Sequence, residues 1–96
     1  MSLLAMEKFK DIVDPKRVGV FGGSHGGYMT GWLIGHPKYC NLWSAAALWN
    51  PVLNMEYMVV ATDIPDWIYA CNKNEEMRWE GVHTAEEAAL FYSRSP

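Results

Sequence analysis

Ninety-six residues make at most one small domain, and a chain of this size buries only about two-thirds of the surface it exposes when unfolded, which excludes a large core. Half of the residues are apolar and 14% aromatic, while the formal net charge is only −3; that balance excludes a disordered chain and a basic nucleic-acid-binding one. No run approaches the ~18 consecutive apolar residues of a membrane span, and Met1-Ser2-Leu3-Leu4-Ala5-Met6-Glu7-Lys8 meets charge too early for a secretory signal, so the expectation is a cytosolic protein whose Cys40 and Cys71 stay reduced.

Taken in order, Leu3, Met6, Phe9 and Val13 recur at three- and four-residue spacing among Glu7, Lys8, Lys10 and Asp11, which predicts an amphipathic surface helix ended by Asp14-Pro15. Val18-Gly19-Val20-Phe21 is too short for a helix and too continuously apolar for a solvent-facing strand, and reads as a central parallel strand. A glycine-rich turn follows. Beyond it a helix is expected from about Gly27 to Gly35, apolar on most sides and therefore buried, stopped by Gly35-His36-Pro37.

Leu42-Trp43-Ser44-Ala45-Ala46-Ala47-Leu48-Trp49 poses a conflict. Alanine favours helix. Position favours a strand, because a helix has just ended, Pro51 follows, and the next apolar run of a β-α-β unit is the neighbouring parallel strand. A strand is the reading adopted. Asn54 is placed to cap a short helix over Met55 to Ala61, Thr62 to Trp67 reads as a turn or loop, and Ile68 to Cys71 as another helical turn before polar residues. Thr84-Ala85-Glu86-Glu87 has the capping-box form, with Ala85, Ala88, Ala89 and Tyr92 following at helical spacing. Tyr28, Trp32, Met55 and Met58 are read as packing residues.

The turn between the first strand and its helix carries the chemistry. Gly22-Gly23-Ser24-His25-Gly26-Gly27 contains G-x-S-x-G, the nucleophile-elbow pattern, in which a serine on a sharp, strained strand-to-helix turn needs neighbours almost without side chains. Ser24 is the candidate nucleophile. The backbone N–H of His25, at the start of the helix, is the candidate oxyanion donor. A phosphate-binding loop counted from Gly22 would need lysine and a hydroxyl where Tyr28 and Met29 stand, and a dinucleotide fingerprint would need glycine where Ser24 stands. The plain alternative is a serine in a structural glycine turn. No cofactor is expected. Nor is a metal, because Pro37 interrupts the helix that would align His36 with Cys40, and no further ligands cluster there.

Those residues, together with Leu33-Ile34-Gly35, Asn50-Pro51-Val52, Thr62-Asp63-Ile64-Pro65-Asp66-Trp67 and Ser95-Pro96, resemble the acylaminoacyl-peptidase branch of the prolyl oligopeptidase family of serine peptidases. The resemblance implies an α/β fold, here a fragment of an α/β-hydrolase: strand, elbow, helix, parallel strand and helices in an incomplete sheet. It makes residues 1–96 a partial catalytic domain without the family's propeller. It also implies release of N-acylated residues from short peptides, with Ser24 as nucleophile, the His25 N–H in the oxyanion hole, and Val52 and Trp67 in the substrate pocket. An aromatic plugging a surface cluster is the plain alternative for Trp67.

In α/β-hydrolases the triad runs serine, acid, histidine along the chain. Here the acid and histidine positions are expected to lie outside the 96 residues, since His25 should project away from Ser24, His36 ends the following helix, His83 precedes the capping box with no route to the turn, and Asp63 and Asp66 flank a proline as turn formers do. Loss of the base costs about 10⁴ to 10⁶ in kcat, so the isolated chain is expected to be nearly inactive. Two readings follow: a piece of a serine peptidase, or a non-catalytic interaction module presenting unpaired strand edges. An unrelated lipase or esterase with the same elbow is a third. The expected partners are a short N-acylated peptide and either the rest of the same enzyme or further copies of the chain, with no nucleic acid and no membrane.

Overall fold

The computed structural model describes residues 7–73, 77 and 83–96. Its contacts divide the chain into two units, Met1–Pro51 and Val52–Pro96.

The first unit is built on a parallel strand pair. Strand β1 spans Gly19–Gly23, helix α1 His25–Gly35 and strand β2 Ala45–Trp49, and the register runs from Gly19 opposite Ala45 to Gly23 opposite Trp49. This is the β-α-β order expected of an α/β fragment. The alanine run is a strand despite its helix propensity, because pairing with β1 supplies its backbone partners and tertiary context overrides a weak intrinsic preference. Two boundaries differ from the expectation. β1 runs through Gly22 and Gly23, since a ladder needs backbone groups rather than side chains, and α1 consequently starts at His25. Residues Cys40–Leu42 form a 3₁₀ turn, so β2 begins only at Ala45. The Trp43 indole N–H donates to the Leu33 carbonyl at 3.1 Å, tying this connection back onto α1.

The burial expected of β1 and α1 holds on one side only. Gly22, Gly27, Thr30 and Gly31 are buried where strand and helix meet, whereas Phe21 and Trp49 are 69% and 68% exposed. Because side chains alternate along a strand and in-register parallel partners share a face, Phe21, Ala45, Ala47 and Trp49 line the sheet face opposite α1. Small residues on α1, rather than Tyr28, Trp32 and Ile34, make the close contact, and those larger side chains are half-buried. Of the N-terminal helix, Leu3 and Met6 lie outside the described residues; Glu7 and Lys8 are helical, and residues 9–12 form a turn.

Among the described residues the second unit packs three helices, α2 (Met55–Ala61), α3 (Pro65–Lys73) and α4 (Ala85–Ser93). Asn54 caps α2 as its sequence predicts, its side chain accepting from the Tyr57 N–H at 2.7 Å. α3 begins earlier than the loop reading of Thr62 to Trp67 allowed: Pro65 opens it, a position where a missing N–H costs nothing. The capping box is present, Glu87 accepting from the Thr84 N–H at 2.8 Å and Thr84 Oγ1 from the Glu87 N–H at 3.2 Å.

The helix predicted by the spacing of Ala85, Ala88, Ala89 and Tyr92 is present, and its buried residues are Glu87 and Phe91, while Tyr92 is 67% exposed. Phe91 meets the Tyr69 ring edge-on at 5.2 Å. Glu87 also pairs with Lys73 at 3.1 Å, so its buried carboxylate is compensated, as burial of a charge requires. The Ser95 hydroxyl donates to the Phe91 carbonyl at 3.0 Å and accepts from the Met55 N–H at 2.9 Å. It satisfies an N–H at the start of α2 that has no partner within the helix. Phe91 is fully buried, so Phe91→Ala is expected to cost about 3–5 kcal/mol in urea unfolding, whereas Tyr92→Ala stays within about 0.5 kcal/mol.

Candidate active site

At Ser24 the chain leaves the last ladder pair and enters α1 within one residue. Its backbone takes φ 52°, ψ −120°, a conformation that costs a non-glycine residue and persists only where its surroundings hold it. Three interactions hold it. The Ser24 N–H donates to the Trp49 carbonyl at 2.9 Å, extending the ladder one step past the Gly23–Trp49 pair, and its own carbonyl accepts from the Tyr28 N–H at 3.1 Å. A buried Thr30 hydroxyl donates to the Gly26 carbonyl at 2.9 Å, bracing the first turn of α1.

The glycines divide by what a side chain would strike. A Cβ at Gly22 would lie 2.0 Å from the Gly26 carbonyl oxygen and 2.6 Å from Thr30 Oγ1, and one at Gly27 would lie 2.7 Å from Pro51 Cβ. A Cβ at Gly26 meets nothing within 4 Å. The steric demand therefore falls on Gly22 and Gly27, while the second glycine of G-x-S-x-G is free of it.

Ser24 is exposed and does not spend its hydroxyl on capping α1, although serine at this position usually does. The oxygen is thereby left available for attack. The first N–H groups of α1, that of His25 foremost, face out of the helix end beside it, and no acidic side chain lies in that turn to neutralise the partial positive charge. This suits an anion developing at a carbonyl oxygen.

The His25 ring stacks on Tyr28, centroids 5.3 Å apart and 18° from parallel. His36 ends α1, twelve residues beyond Ser24 and about 18 Å away at the helical rise, with its Nδ1 accepting from the Lys38 N–H at 3.1 Å. Val52 is buried at the start of the second unit, and Trp67 is half-buried in the first turn of α3. Asp63 lies in the second unit between α2 and α3, and Asp66 lies in the first turn of α3, where an acidic side chain favours the helix dipole. Among the described residues no three His, Cys, Asp or Glu side chains come together as a metal site would need. Asn50 and Thr30 are structural members of the site to which the motif did not point. Asn50 takes a positive φ of 44°, and asparagine's tolerance of that region at the end of a strand was the available signal for it, against the extended bias of a residue before proline.

The sequence pattern of the prolyl oligopeptidase family matches residues 3–94. The acylamino-acid-releasing enzyme of Arabidopsis thaliana is 42% identical over 85 residues, which cover 88% of this chain and 11% of that protein. Acylamino-acid-releasing enzyme 2 of Oryza sativa subsp. japonica is 38% identical over 87 residues, with 88% and 11% covered. The acylamino-acid-releasing enzyme of Rattus norvegicus is 48% identical over 54 residues, with 56% and 7% covered. The chain thus spans about a tenth of the length of these relatives. The division among the glycines is measurable: Gly22→Ala and Gly27→Ala are each expected to cost about 1–3 kcal/mol or more in urea unfolding. Gly26→Ala is expected to be neutral or stabilising by up to about 1 kcal/mol.

Proposed function

Since the chain belongs to the prolyl oligopeptidase family, we propose that it carries the nucleophile of a serine peptidase of the acylaminoacyl type. The observation supporting this most directly is Ser24 itself: an exposed, uncapped hydroxyl on a left-handed residue between a parallel strand and a helix N-terminus. Ser24 Oγ attacks the scissile carbonyl of a short N-acylated peptide while a general base takes its proton. The N–H of His25 donates to the resulting oxyanion, the amine leaves with the proton, and water then releases the acyl group from the serine. Val52 and Trp67 belong to the substrate pocket on this reading. The site of action is the cytosol.

The base and its acid are not among these 96 residues on the same reading. His25 is engaged with Tyr28 on the side of α1, His36 lies at the far end of that helix, and His83 meets the Phe91 ring at 6.4 Å in the second unit. The residues therefore form part of a larger catalytic domain, and by themselves react slower than the complete site by about 10⁴ to 10⁶.

The interaction-module reading is favoured by one observation, the exposed apolar sheet face around Phe21 and Trp49. Sedimentation separates the two, because a chain working through that face associates at micromolar concentration and a chain whose function resides in Ser24 has no such requirement. A fluorophosphonate tests the nucleophile directly: Ser24 Oγ bonds to phosphorus as fluoride leaves. A protein in which the remaining catalytic segments accompany these residues is expected to be labelled at Ser24 and to hydrolyse an N-acetylated dipeptide, and Ser24→Ala to lose both, whereas the 96 residues alone are labelled no more than other surface serines. Hydrolysis of a simple ester but not of the N-acetylated dipeptide points instead to an esterase.

A further inference from the structure

Among the described residues, two non-glycine residues have a positive φ, Ser24 at 52° and Asn50 at 44°. They are neighbours. The register pairs Gly23 with Trp49, so each is the next residue on its strand at the same end of the sheet. Asn50 is also followed by Pro51, and the residue before a proline is driven by sterics toward extended backbone. A left-handed residue there is held by its surroundings.

What surrounds it is the elbow. On one side of Asn50, the Trp49 carbonyl accepts the Ser24 N–H at 2.9 Å. On the other, Pro51 stands so close to the first turn of α1 that a Cβ at Gly27 would lie 2.7 Å from its ring. An extended residue 50 would carry Pro51 onward along the strand and away from Gly27. The left-handed bend lets one tripeptide grip both the strand side and the helix side of the nucleophile's turn.

We propose that Asn50 is a positioning residue for Ser24, acting through its backbone conformation and through the Trp49 carbonyl and Pro51 on either side. The inference rests on Ser24 being the nucleophile. It requires of residue 50 only that it tolerate a positive φ, which asparagine and glycine do and a β-branched residue does not.

The test compares Asn50→Gly, Asn50→Ala and Asn50→Val in the protein in which the remaining catalytic segments accompany these residues. Fluorophosphonate labelling of Ser24 is resolved into its limiting rate and half-saturating concentration, and amide exchange is followed at Ser24. The expected result is a limiting rate within about twofold of wild type for Asn50→Gly, and slower by about tenfold for Asn50→Ala and more for Asn50→Val, with half-saturation unchanged. Ser24 amide exchange rises in the same order relative to the His36 amide, which donates to Trp32 at the far end of α1. Should Asn50→Val not fold, the alanine and glycine variants carry the comparison. Wild-type labelling and exchange in Asn50→Ala overturn the proposal. So does a glycine variant that folds but needs more reagent to half-saturate, since that assigns the role to the carboxamide. A wild-type protein that is not labelled at Ser24 refutes the nucleophile reading instead, and Ser24 amide exchange still decides whether Asn50 holds the turn.

Discussion

One backbone hydrogen bond, from the Ser24 N–H to the Trp49 carbonyl, sits where every feature of the first unit converges. It continues the parallel ladder onto a residue whose backbone has already left the β region. Without a partner strand in register, the turn would have no reason to hold that conformation, because isolated backbone relaxes from strained φ/ψ values. The sheet is short, five residues on each strand, yet it is long enough to place Trp49 beside the bend.

Steric exclusion shapes the other side of the turn. Gly22 packs against the first turn of α1 and Gly27 against Pro51, so strand, helix and the exit from β2 approach to distances that a methyl group would forbid. The gain is proximity. An unspent hydroxyl and the N–H end of a helix come to lie together at the carboxyl ends of parallel strands, the location where α/β proteins place their ligands. Thr30 contributes from inside: its hydroxyl bonds back to the Gly26 carbonyl and fills the space left between two glycines.

The second unit follows a different logic. Its three helices are stapled by side chains that satisfy helix ends: Asn54 on α2, the Thr84–Glu87 box on α4, and Ser95 bridging α4 to the first N–H of α2. Around these lies a small apolar core of Met55, Val59, Ile68, Tyr69 and Phe91. Terminal groups of helices are costly when buried without partners, and two of these residues also connect one helix to another: Glu87 pairs with Lys73 of α3, and Ser95 joins the end of α4 to the start of α2.

Features governed by a few neighbouring residues were legible in the amino-acid order. Glycines flanking a serine between an apolar run and a helical run announced the elbow, Asn54 and Thr84-x-x-Glu87 announced their helix starts, and the β-α-β order followed from spacing; each depends on interactions within a turn or two of chain. Tertiary contacts decided the rest. They supplied the β1 partner that holds the alanine run in the strand its position predicted, against its helix propensity, chose Glu87 and Phe91 as the buried residues of α4, and put the steric demand on Gly27 rather than Gly26. They also turned Asn50 left-handed. Each of these depends on a partner brought in from elsewhere in the chain, whether the β1 backbone for β2, Tyr69 and Lys73 for α4, or Pro51 for Gly27, and local propensity carries no information about what will be packed against it.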